Sequence, residues 1–290
     1  MNGIDTVTSI GPDEFEQAHL LGGRPLVVRG VASGWPASQW SLASLRRDFG
    51  DRELKVQIFD DPRSRLAGWR YEVRRLDAYL DQMDTPAGLS QYLTYTTLAK
   101  SFPELVADVE LPAFLAPYVR GFGAEKFGLF VGPEGQGTEL HYHPILWGGA
   151  SLAFAVSVVG RKRFRLYPAS ATRNLYPFPL RKRRMKTLNW SQVLPESPES
   201  PESPEFPRFS AARPIDVELG PGDGLFIPPH WWHSTRCLDA SVSLTLFFPG
   251  HWRYKFSLHL APRDLTIFSA MSLMRAAMKV QGAARARFGR

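Results

Sequence analysis

After residue 127, hydrophobic and polar positions alternate over short runs that are separated by glycine and proline. Runs of this kind, rich in β-branched and aromatic residues and bounded by turn residues, are typical of β-strands. They occupy residues 127–131, 140–143, 152–159, 163–167, 224–227 and 242–248. The pattern predicts a mainly β fold of the jelly-roll type, in which two sheets enclose a narrow cavity and inward-facing side chains from different strands converge.

The first 120 residues combine short apolar runs with apolar positions at helical spacing, and they predict helices and short strands that flank the sheets. The predicted elements are a strand at 25–31, helices at 40–49 and 74–83, and helical turns at 103–109 and 112–118. Ser41 stands where the first of these helices would begin, and serine is a favoured residue at that position. We expect residues 1–262 to form one domain, with a helical flank at 1–120.

Two further segments differ from this domain in composition. Residues 263–290 carry Leu, Ile, Phe, Met and Ala at roughly helical spacing with arginines between them, which predicts an amphipathic C-terminal helical tail. Docking and homodimerisation are the usual uses of such a tail. Residues 195–205 repeat Pro-Glu-Ser and are too polar to enter a core, so we expect a surface loop there.

The composition is that of a globular protein with one main core. Hydrophobic residues make up 44% of the 290 positions and charged residues 22%, which gives no general signature of disorder. The single cysteine, Cys237, leaves no intramolecular disulfide to form and predicts a reducing, cytoplasmic location. Because the apolar runs fall far short of the ~20 residues that span a bilayer, we expect no membrane span.

A formal net charge of +7 raises the question of nucleic-acid binding. The basic residues are concentrated at 161–165, 181–186 and 275–290. These runs are accompanied neither by an aromatic-rich RNA motif nor by a helix-turn-helix pattern, so we do not expect a nucleic-acid partner. Basic runs also attract anionic ligands, and an anionic small-molecule or peptide substrate is compatible with this charge.

The histidines form the most informative pattern in the chain. Four of the seven fall in two tight groups, His141 with His143 and His230 with His233. Residues two apart on a strand point to the same face, so the first pair can hold one metal ion while a later strand supplies His233. Neutral imidazole suits iron, copper, zinc and nickel. We expect His230, in a proline-rich turn, to be a loop or supporting residue, and ordinary structural roles for His19, His251 and His259.

Three motifs, in this order, resemble the JmjC-related cupin oxygenases, a family typified by the asparaginyl hydroxylase called factor inhibiting HIF. They are Gly-Thr-Glu-Leu-His-Tyr-His at 137–143, Val-Gly-Arg-Lys-Arg at 159–163 followed by Leu-Tyr-Pro at 166–168, and the segment from Pro-Gly-Asp to Pro-Pro-His-Trp-Trp-His at 221–233. Residues 23–30 and 175–179 extend the likeness, which covers most of the chain up to about residue 250. The resemblance implies a double-stranded β-helix, or cupin fold, and a non-haem Fe(II) dioxygenase that uses 2-oxoglutarate and O2 to hydroxylate an unactivated C–H bond.

The resemblance also assigns roles to individual residues. His141 and His233 match the first and last metal ligands of the family, and His143 takes the place of the second. Lys162 matches the residue that pairs with the distal carboxylate of 2-oxoglutarate. Thr138 matches a hydroxyl that assists it, and Tyr92 is a third contact.

Strand alternation gives independent support for Lys162. If the strand after residue 160 alternates, Lys162 shares its face with Phe164 and Leu166, whereas Arg163 and Arg165 face the other way. A lysine directed into an apolar interior needs an anionic partner to remain charged, and a dicarboxylate would provide one. The alternative is that Lys162 lies at an exposed strand start.

The chain departs from the family at the second metal ligand. The family has His-x-Asp, and this chain has His-x-His with His143 in the place of the carboxylate. An imidazole there leaves a divalent site with a net charge of +2 where a carboxylate would leave +1. Two polar family positions near the metal-bound end of 2-oxoglutarate are also changed, to Ala153 and Phe247.

Three functions therefore remain open. The first is an oxygenase with iron held by three histidines, which hydroxylates a small molecule, an amino acid or a peptide side chain. The second is a three-histidine copper or iron oxidase or dioxygenase that does not use 2-oxoglutarate. The third is a non-catalytic metal-binding cupin, in which His143 has swung away. Retention of Lys162 and Thr138 favours the first.

Overall fold

The protein is described by a computed structural model over residues 3–62, 64–119, 121, 123–144, 150–179, 189–194, 204–249 and 264. Its strands are β1 Asp5–Val7, β2 Leu26–Val28, β3 Glu53–Asp61, β4 Ser64–Arg75, β5 Gln91–Thr97, β6 Gly128–Gly132, β7 Gly137–His141, β8 Ala150–Val159, β9 Lys162–Tyr167, β10 Ile215–Leu219, β11 Gly224–Ile227, β12 Trp232–Cys237 and β13 Ser241–Pro249. Its helices are α1 Pro12–Phe15, α2 Leu42–Phe49, α3 Leu76–Asp81 and α4 Leu98–Ser101. The predicted mainly β fold is confirmed.

Short helical turns connect these elements. A π-helical turn covers Glu16–Leu20, and 3-10 turns cover Pro36–Gln39, Gly88–Ser90, Pro103–Asp108, Ala116–Tyr118, Ala124–Lys126, Ala169–Asn174 and Phe209–Ala211. Helix α2 begins directly after Ser41, as predicted. The Ser41 side chain accepts a hydrogen bond from the Ser44 amide, and the Ser44 hydroxyl accepts one from the Ser41 amide, so a reciprocal cap fixes the start of the helix.

The strands form two sheets. The larger has the order β1-β2-β11-β8-β13-β6-β5-β3-β4 and the smaller the order β10-β9-β12-β7. Neighbouring strands are antiparallel, except that β1 and β2 are parallel. Two facing sheets of this kind are the jelly-roll arrangement that the sequence predicts.

The N-terminal flank contains more β-structure than the sequence predicted. Strands β3 and β4 pair along their length, and β5 joins them to the larger sheet. Strand β4 escaped prediction because one of its faces carries Arg70, Glu72 and Arg74, which pair with one another, so it has no continuous apolar run. These three strands extend the larger sheet over one side of the interior.

The space between the two sheets is only partly filled. Nine buried apolar residues pack together there, namely Val27, Ala153, Ala155, Phe164, Leu166, Val217, Leu219, Leu225 and Ile227. A larger apolar cluster covers the other face of the nine-stranded sheet and includes residues of α1 to α4. Four members of the inter-sheet cluster, Ala153, Ala155, Phe164 and Ile227, also line a cavity in the same space.

Three predicted segments lie outside the described residues. These are the basic run at 181–186, residues 195–203 of the Pro-Glu-Ser tract, and the C-terminal tail at 263–290 apart from Asp264. Within the described ranges, no helix has the length and apolar character that a membrane crossing requires.

Candidate metal centre

Three histidines converge at the cavity end of the smaller sheet. His141 is the last residue of β7 and pairs directly with His233 on β12. His143 follows two residues after the end of β7, and one ring nitrogen from each of the three lies within 4.8 Å of the others. The sequence therefore identified three residues that the fold does bring together.

Outer hydrogen bonds orient two of these rings. His141 Nδ1 lies 2.8 Å from the Glu139 carbonyl oxygen, and His233 Nδ1 lies 3.0 Å from the Trp231 carbonyl oxygen. A carbonyl oxygen can only accept, so Nδ1 carries the proton in both rings and Nε2 keeps its lone pair. This is how metal-binding histidines are commonly oriented by their surroundings.

His143 is held differently. Its ring meets the edge of Phe247 with the ring centroids 5.2 Å apart. His143 Nδ1 is buried and has no hydrogen-bond partner among the described residues, so no outer bond decides which nitrogen it presents. A buried imidazole nitrogen without a partner, beside two pre-oriented imidazoles, fits a metal-binding atom.

The electrostatics of the site also fit a metal ion. Burial, together with the neighbouring His141, lowers the pKa of His143 to about 3. The pKa of His233 is lowered well below its usual value by burial and by the two other histidines. Both rings are therefore neutral near pH 7, and neutral imidazole is the form that binds metal.

These lowered pKa values predict how the stability of the metal-free protein depends on pH. The unfolded chain takes up a proton on each histidine near pH 6.5, whereas the folded His143 does so only near pH 3. The unfolded state then binds more protons, so the free energy of unfolding falls as pH is lowered through this window. Each such proton contributes a slope of about 1.4 kcal/mol per pH unit. Urea unfolding of a His143→Gln variant should show a shallower slope than the wild type, and parallel curves would contradict this.

The three histidines line a cavity of about 260 Å³ between the sheets. Part of the wall is apolar and includes Ala153 and Phe247, two of the positions at which the sequence departs from the pattern that it resembles. The full lining is Gln57, Trp69, Tyr71, Thr94, Phe130, Thr138, His141, His143, Ala153, Ala155, Lys162, Phe164, Trp190, Ile227, His233, Thr235, Thr245 and Phe247.

Lys162 lies in the wall of the same cavity. Only 5% of it is exposed, and Nζ donates to Tyr92 Oη at 2.8 Å and to Ser243 Oγ at 3.1 Å. Nζ is also 5.4 Å from the centroid of the Phe130 ring. The predicted alternation of β9 is observed. The alternative, that Lys162 lies at an exposed strand start, is wrong. Sequence reasoning missed Ser243, because β13 reads only as an apolar strand.

Thr138, the predicted hydroxyl contact, lies on β7 of the smaller sheet. Strand β12 separates it from β9, which carries Lys162. Thr138 lines the cavity, and its amide donates to Thr235 Oγ1 at 3.0 Å. Thr235 in turn pairs with Phe164 on β9. Tyr92 is buried and does not line the cavity. Its hydroxyl accepts the hydrogen bond from Lys162 Nζ, which does.

Two stacked tryptophans that the sequence did not single out lie at the cavity. Trp69 on β4 and Trp190 are nearly parallel, with an angle of 7° and ring centroids 5.9 Å apart. Trp190 also lies 5.9 Å from His141, and the exposed Tyr71 stands two residues from Trp69 on the same strand. Because Trp69 and Trp190 are far apart in sequence, no local pattern could have paired them.

Phe247, on β13 of the larger sheet, contacts both His143 and Tyr95, and Tyr95 is a strained residue of the same sheet. Tyr95 packs against Phe247 with centroids 5.2 Å apart and has a φ of +28°, which is uncommon for a residue with a side chain. It lies where the pairing of β5 with β6 shifts register. A Cβ at Gly128 would overlap the Tyr95 ring, so this glycine makes room for it.

The tryptophans next to His233, and the described histidines other than the three, lie outside the cavity lining. Trp231 Nε1 donates to the Gly23 carbonyl oxygen and Trp232 Nε1 to the Thr172 hydroxyl, so both brace the start of β12. His230 is fully buried and outside the cavity lining, as predicted for a supporting residue. His19 is buried away from the cavity, and His251 and His259 lie outside the described residues.

Two facing sheets that bring three imidazoles together form a cupin-type arrangement that could hold a metal ion. Residues 12–253 match the family of cupin-like domains, so the chain belongs to the cupin-like domain family. The resemblance to JmjC-related proteins is confirmed by its relatives. Lysine-specific demethylase 8 of Xenopus tropicalis is 30% identical over 239 residues, which cover 81% of this chain and 50% of that protein.

Two further relatives carry different names. Lysine-specific demethylase JMJ30 of Arabidopsis thaliana is 27% identical and matches 84% of this chain and 54% of its own length. The tRNA wybutosine-synthesizing protein 5 of Danio rerio is 28% identical and matches 87% of this chain and 75% of its own length. The chain thus spans about half the length of the two demethylases.

Proposed function

We propose that the protein is a non-haem, metal-dependent oxygenase that binds Fe(II), 2-oxoglutarate and O2 and hydroxylates a C–H bond. The observation that carries this proposal is the position of the buried Lys162 side chain in the wall of the cavity that the three histidines line. A cationic anchor and a metal centre in one cavity suit a dicarboxylate that chelates the metal at its other end. Membership of the cupin-like family, among relatives named demethylases, supports it.

The three histidines would hold the metal ion. When bound, Fe(II) together with 2-oxoglutarate and O2 supplies the oxidising power for hydroxylation. The chain's own contribution is to present His141 Nε2 and His233 Nε2 in fixed directions through the two carbonyl bonds. Three neutral imidazoles also accept Cu(II), so the donor set fits both metals.

Lys162 and Thr138, which line the cavity, would bind the distal carboxylate of 2-oxoglutarate, and Tyr92 and Ser243 would support it through their bonds to Lys162 Nζ. Lys162 lies four residues along β9 from Leu166, the residue paired with His233. Four residues of a strand cover roughly 13 Å. A lysine side chain and an extended five-carbon diacid, placed end to end, would together bridge this distance. A divalent metal ion and a protonated lysine in one cavity would together favour a dianion over a neutral ligand.

The mouth of the cavity favours a substrate with an apolar or flat group. Trp69, Trp190 and Tyr71 present aromatic surface there, and Phe247 forms the wall next to His143. A volume of about 260 Å³ that must also hold the co-substrate leaves room for one side chain or a small molecule. We propose a small molecule, an amino acid or a peptide side chain as the substrate, and an apolar wall that excludes water from the reaction.

The proposal is tested by anaerobic titration of the metal-free protein with Fe(II) and then with 2-oxoglutarate. Chelation of the metal by the keto acid should give a visible charge-transfer band. Succinate, which has the two carboxylates but no keto group, is the matched control and should give no band. Fe(II) binding without a band on addition of 2-oxoglutarate would reject 2-oxoglutarate as co-substrate.

His143 favours a second candidate function, a three-histidine oxidase or dioxygenase that does not use 2-oxoglutarate. A His143→Asp variant separates the two, because a carboxylate lowers the charge of the site and is a harder ligand. We expect the affinity for Fe(II) relative to Cu(II) to rise at least about tenfold, which corresponds to about 1.4 kcal/mol. Competitive metal titrations measure this ratio.

The matched control for this variant is His143→Asn, which has the size of aspartate without its charge. Its metal preference should not move toward iron. If the aspartate and asparagine variants have the same metal preference as the wild type, His143 is not a ligand. A wild-type protein whose melting temperature is unchanged by every added ion would favour a non-catalytic cupin instead.

A further inference from the structure

A buried hydrogen-bonded network lies directly behind the three histidines. His230 Nε2 is 2.7 Å from Asp264 Oδ2, and the Tyr142 hydroxyl donates to Asp264 Oδ1 at 3.1 Å. All three residues are at most 1% exposed. Asp264 lies beyond residue 253, where the match to the cupin-like family ends, so this carboxylate is supplied by a part of the chain outside that match.

Both partners of Asp264 belong to the segments that carry the metal-binding histidines. Tyr142 stands between His141 and His143, and His230 precedes His233 by three residues. The His230 amide also donates to the His143 carbonyl oxygen at 3.4 Å. One carboxylate therefore joins the two segments at the point where their side chains must meet around a metal ion.

The surroundings leave these two partners little freedom. The Tyr142 backbone is bonded on both sides to Asn189, whose carbonyl oxygen accepts from the Tyr142 amide and whose side-chain amide donates to the Tyr142 carbonyl oxygen. The Tyr142 ring packs against Trp232 at 4.8 Å. His230 has a φ of +65°, a conformation that costs energy in a residue with a side chain and persists only when its contacts hold it.

We infer that Asp264 and His230 are positioning residues that couple the C-terminal part of the chain to the affinity of the metal centre. The inference rests on the proposed metal site. Removal of the carboxylate leaves a buried imidazole and a buried hydroxyl without their bonds to it, and such groups relax or take up water. The two segments that carry the histidines then lose the carboxylate that joins them. His143 is the ring most free to shift, because its Nδ1 has no hydrogen bond among the described residues.

The test is a titration of the metal-free full chain with Co(II), followed through the visible absorption of the bound ion. The variants are Asp264→Ala, Asp264→Asn and His230→Asn, and asparagine is chosen at residue 230 because it tolerates a positive φ. Loss of an outer partner of a metal site commonly costs 10-fold to 100-fold in affinity. We expect about tenfold weaker binding for Asp264→Ala and a smaller loss for Asp264→Asn, which keeps an oxygen acceptor for Tyr142.

The control variant is Asp223→Asn. The Asp223 carboxylate accepts bonds from Arg29, Gly30 and Gly220, none of which belongs to the segments that carry the histidines, so this change weakens charged hydrogen bonds outside those segments. It should lower the melting temperature and leave the Co(II) affinity unchanged. Asp264 variants that melt earlier but bind Co(II) as the wild type does would overturn the inference and leave the proposed metal site standing.

A second measurement needs no variant. Coupling between two sites is reciprocal, so bound Co(II) must stabilise the segment around Asp264. Amide hydrogen exchange in peptides that contain Asp264 should slow by about the factor by which the variant weakens Co(II) binding. Exchange that is unchanged by Co(II) would overturn the coupling, and a wild-type chain that binds no divalent ion would overturn both this inference and the proposed function.

Discussion

A His233→Ala variant should lose stoichiometric binding of a divalent metal ion, and its oxygenase turnover should fall at least about a thousandfold. In the proposed site, His233 is a buried, neutral ligand whose Nε2 is fixed in direction by the bond from Nδ1 to the Trp231 carbonyl oxygen. A loss of about 4 kcal/mol of binding energy corresponds to a thousandfold weaker site. Metal analysis after gel filtration measures the first effect, and turnover with added Fe(II) measures the second.

The control for this variant is His19→Ala. His19 is also buried and its Nδ1 is also bonded to a carbonyl oxygen, that of Arg24, but it lies outside the cavity. Its loss should reduce stability while the metal content stays stoichiometric. A His233→Ala protein that still holds one metal ion per chain would mean that the site is elsewhere.

A Lys162→Met variant should raise the KM for 2-oxoglutarate about a hundredfold and leave the metal affinity unchanged. Methionine fills the same apolar channel but cannot pair with a carboxylate, and truncating one partner of a buried charge pair costs about 3 kcal/mol. The buried place of Lys162 beside Tyr92 and Ser243 makes this cost large. Decarboxylation of 2-oxoglutarate at a series of concentrations gives the KM.

Arg161→Met is the matched control for this measurement. Arg161 directly precedes Lys162, but its guanidinium is bonded to Asp239 on the surface. This variant should have the KM of the wild type. Equal KM values for the Lys162 and Arg161 variants would show that 2-oxoglutarate does not bind at the ammonium, and a changed metal affinity in Lys162→Met would point to damage of the fold.

The group of three histidines could be found from sequence because much of its information is local. His141 and His143 are two residues apart within the predicted strand at 140–143, and His233 ends the motif that follows the predicted strand at 224–227. The detail differed, since β7 ends at His141 and not at His143. His143 precedes Pro144, and the residue before a proline is conformationally restricted while the proline itself cannot donate to a sheet, so pairing stops early.

The parts that could not be predicted depend on contacts between distant segments. The stack of Trp69 on Trp190 joins the N-terminal flank to a loop near the metal centre. The contact of Asp264 with His230 and Tyr142 brings together three separate segments. Neither has a periodic or spaced pattern, because such pairs are set by how the sheets are connected and not by local preference.

The unequal support of the three histidines has a consequence for which ions the site can take. Hydrogen bonds from Nδ1 fix His141 and His233 before any ion arrives, whereas His143 has no such bond among the described residues. A metal ion held here would have two ligands fixed in direction and one that can adjust. Ions that differ in radius would then be accommodated by rotation of the His143 ring, without a shift of either strand. The position that would adapt to different ions is therefore that of His143, which is also the position at which the chain departs from His-x-Asp.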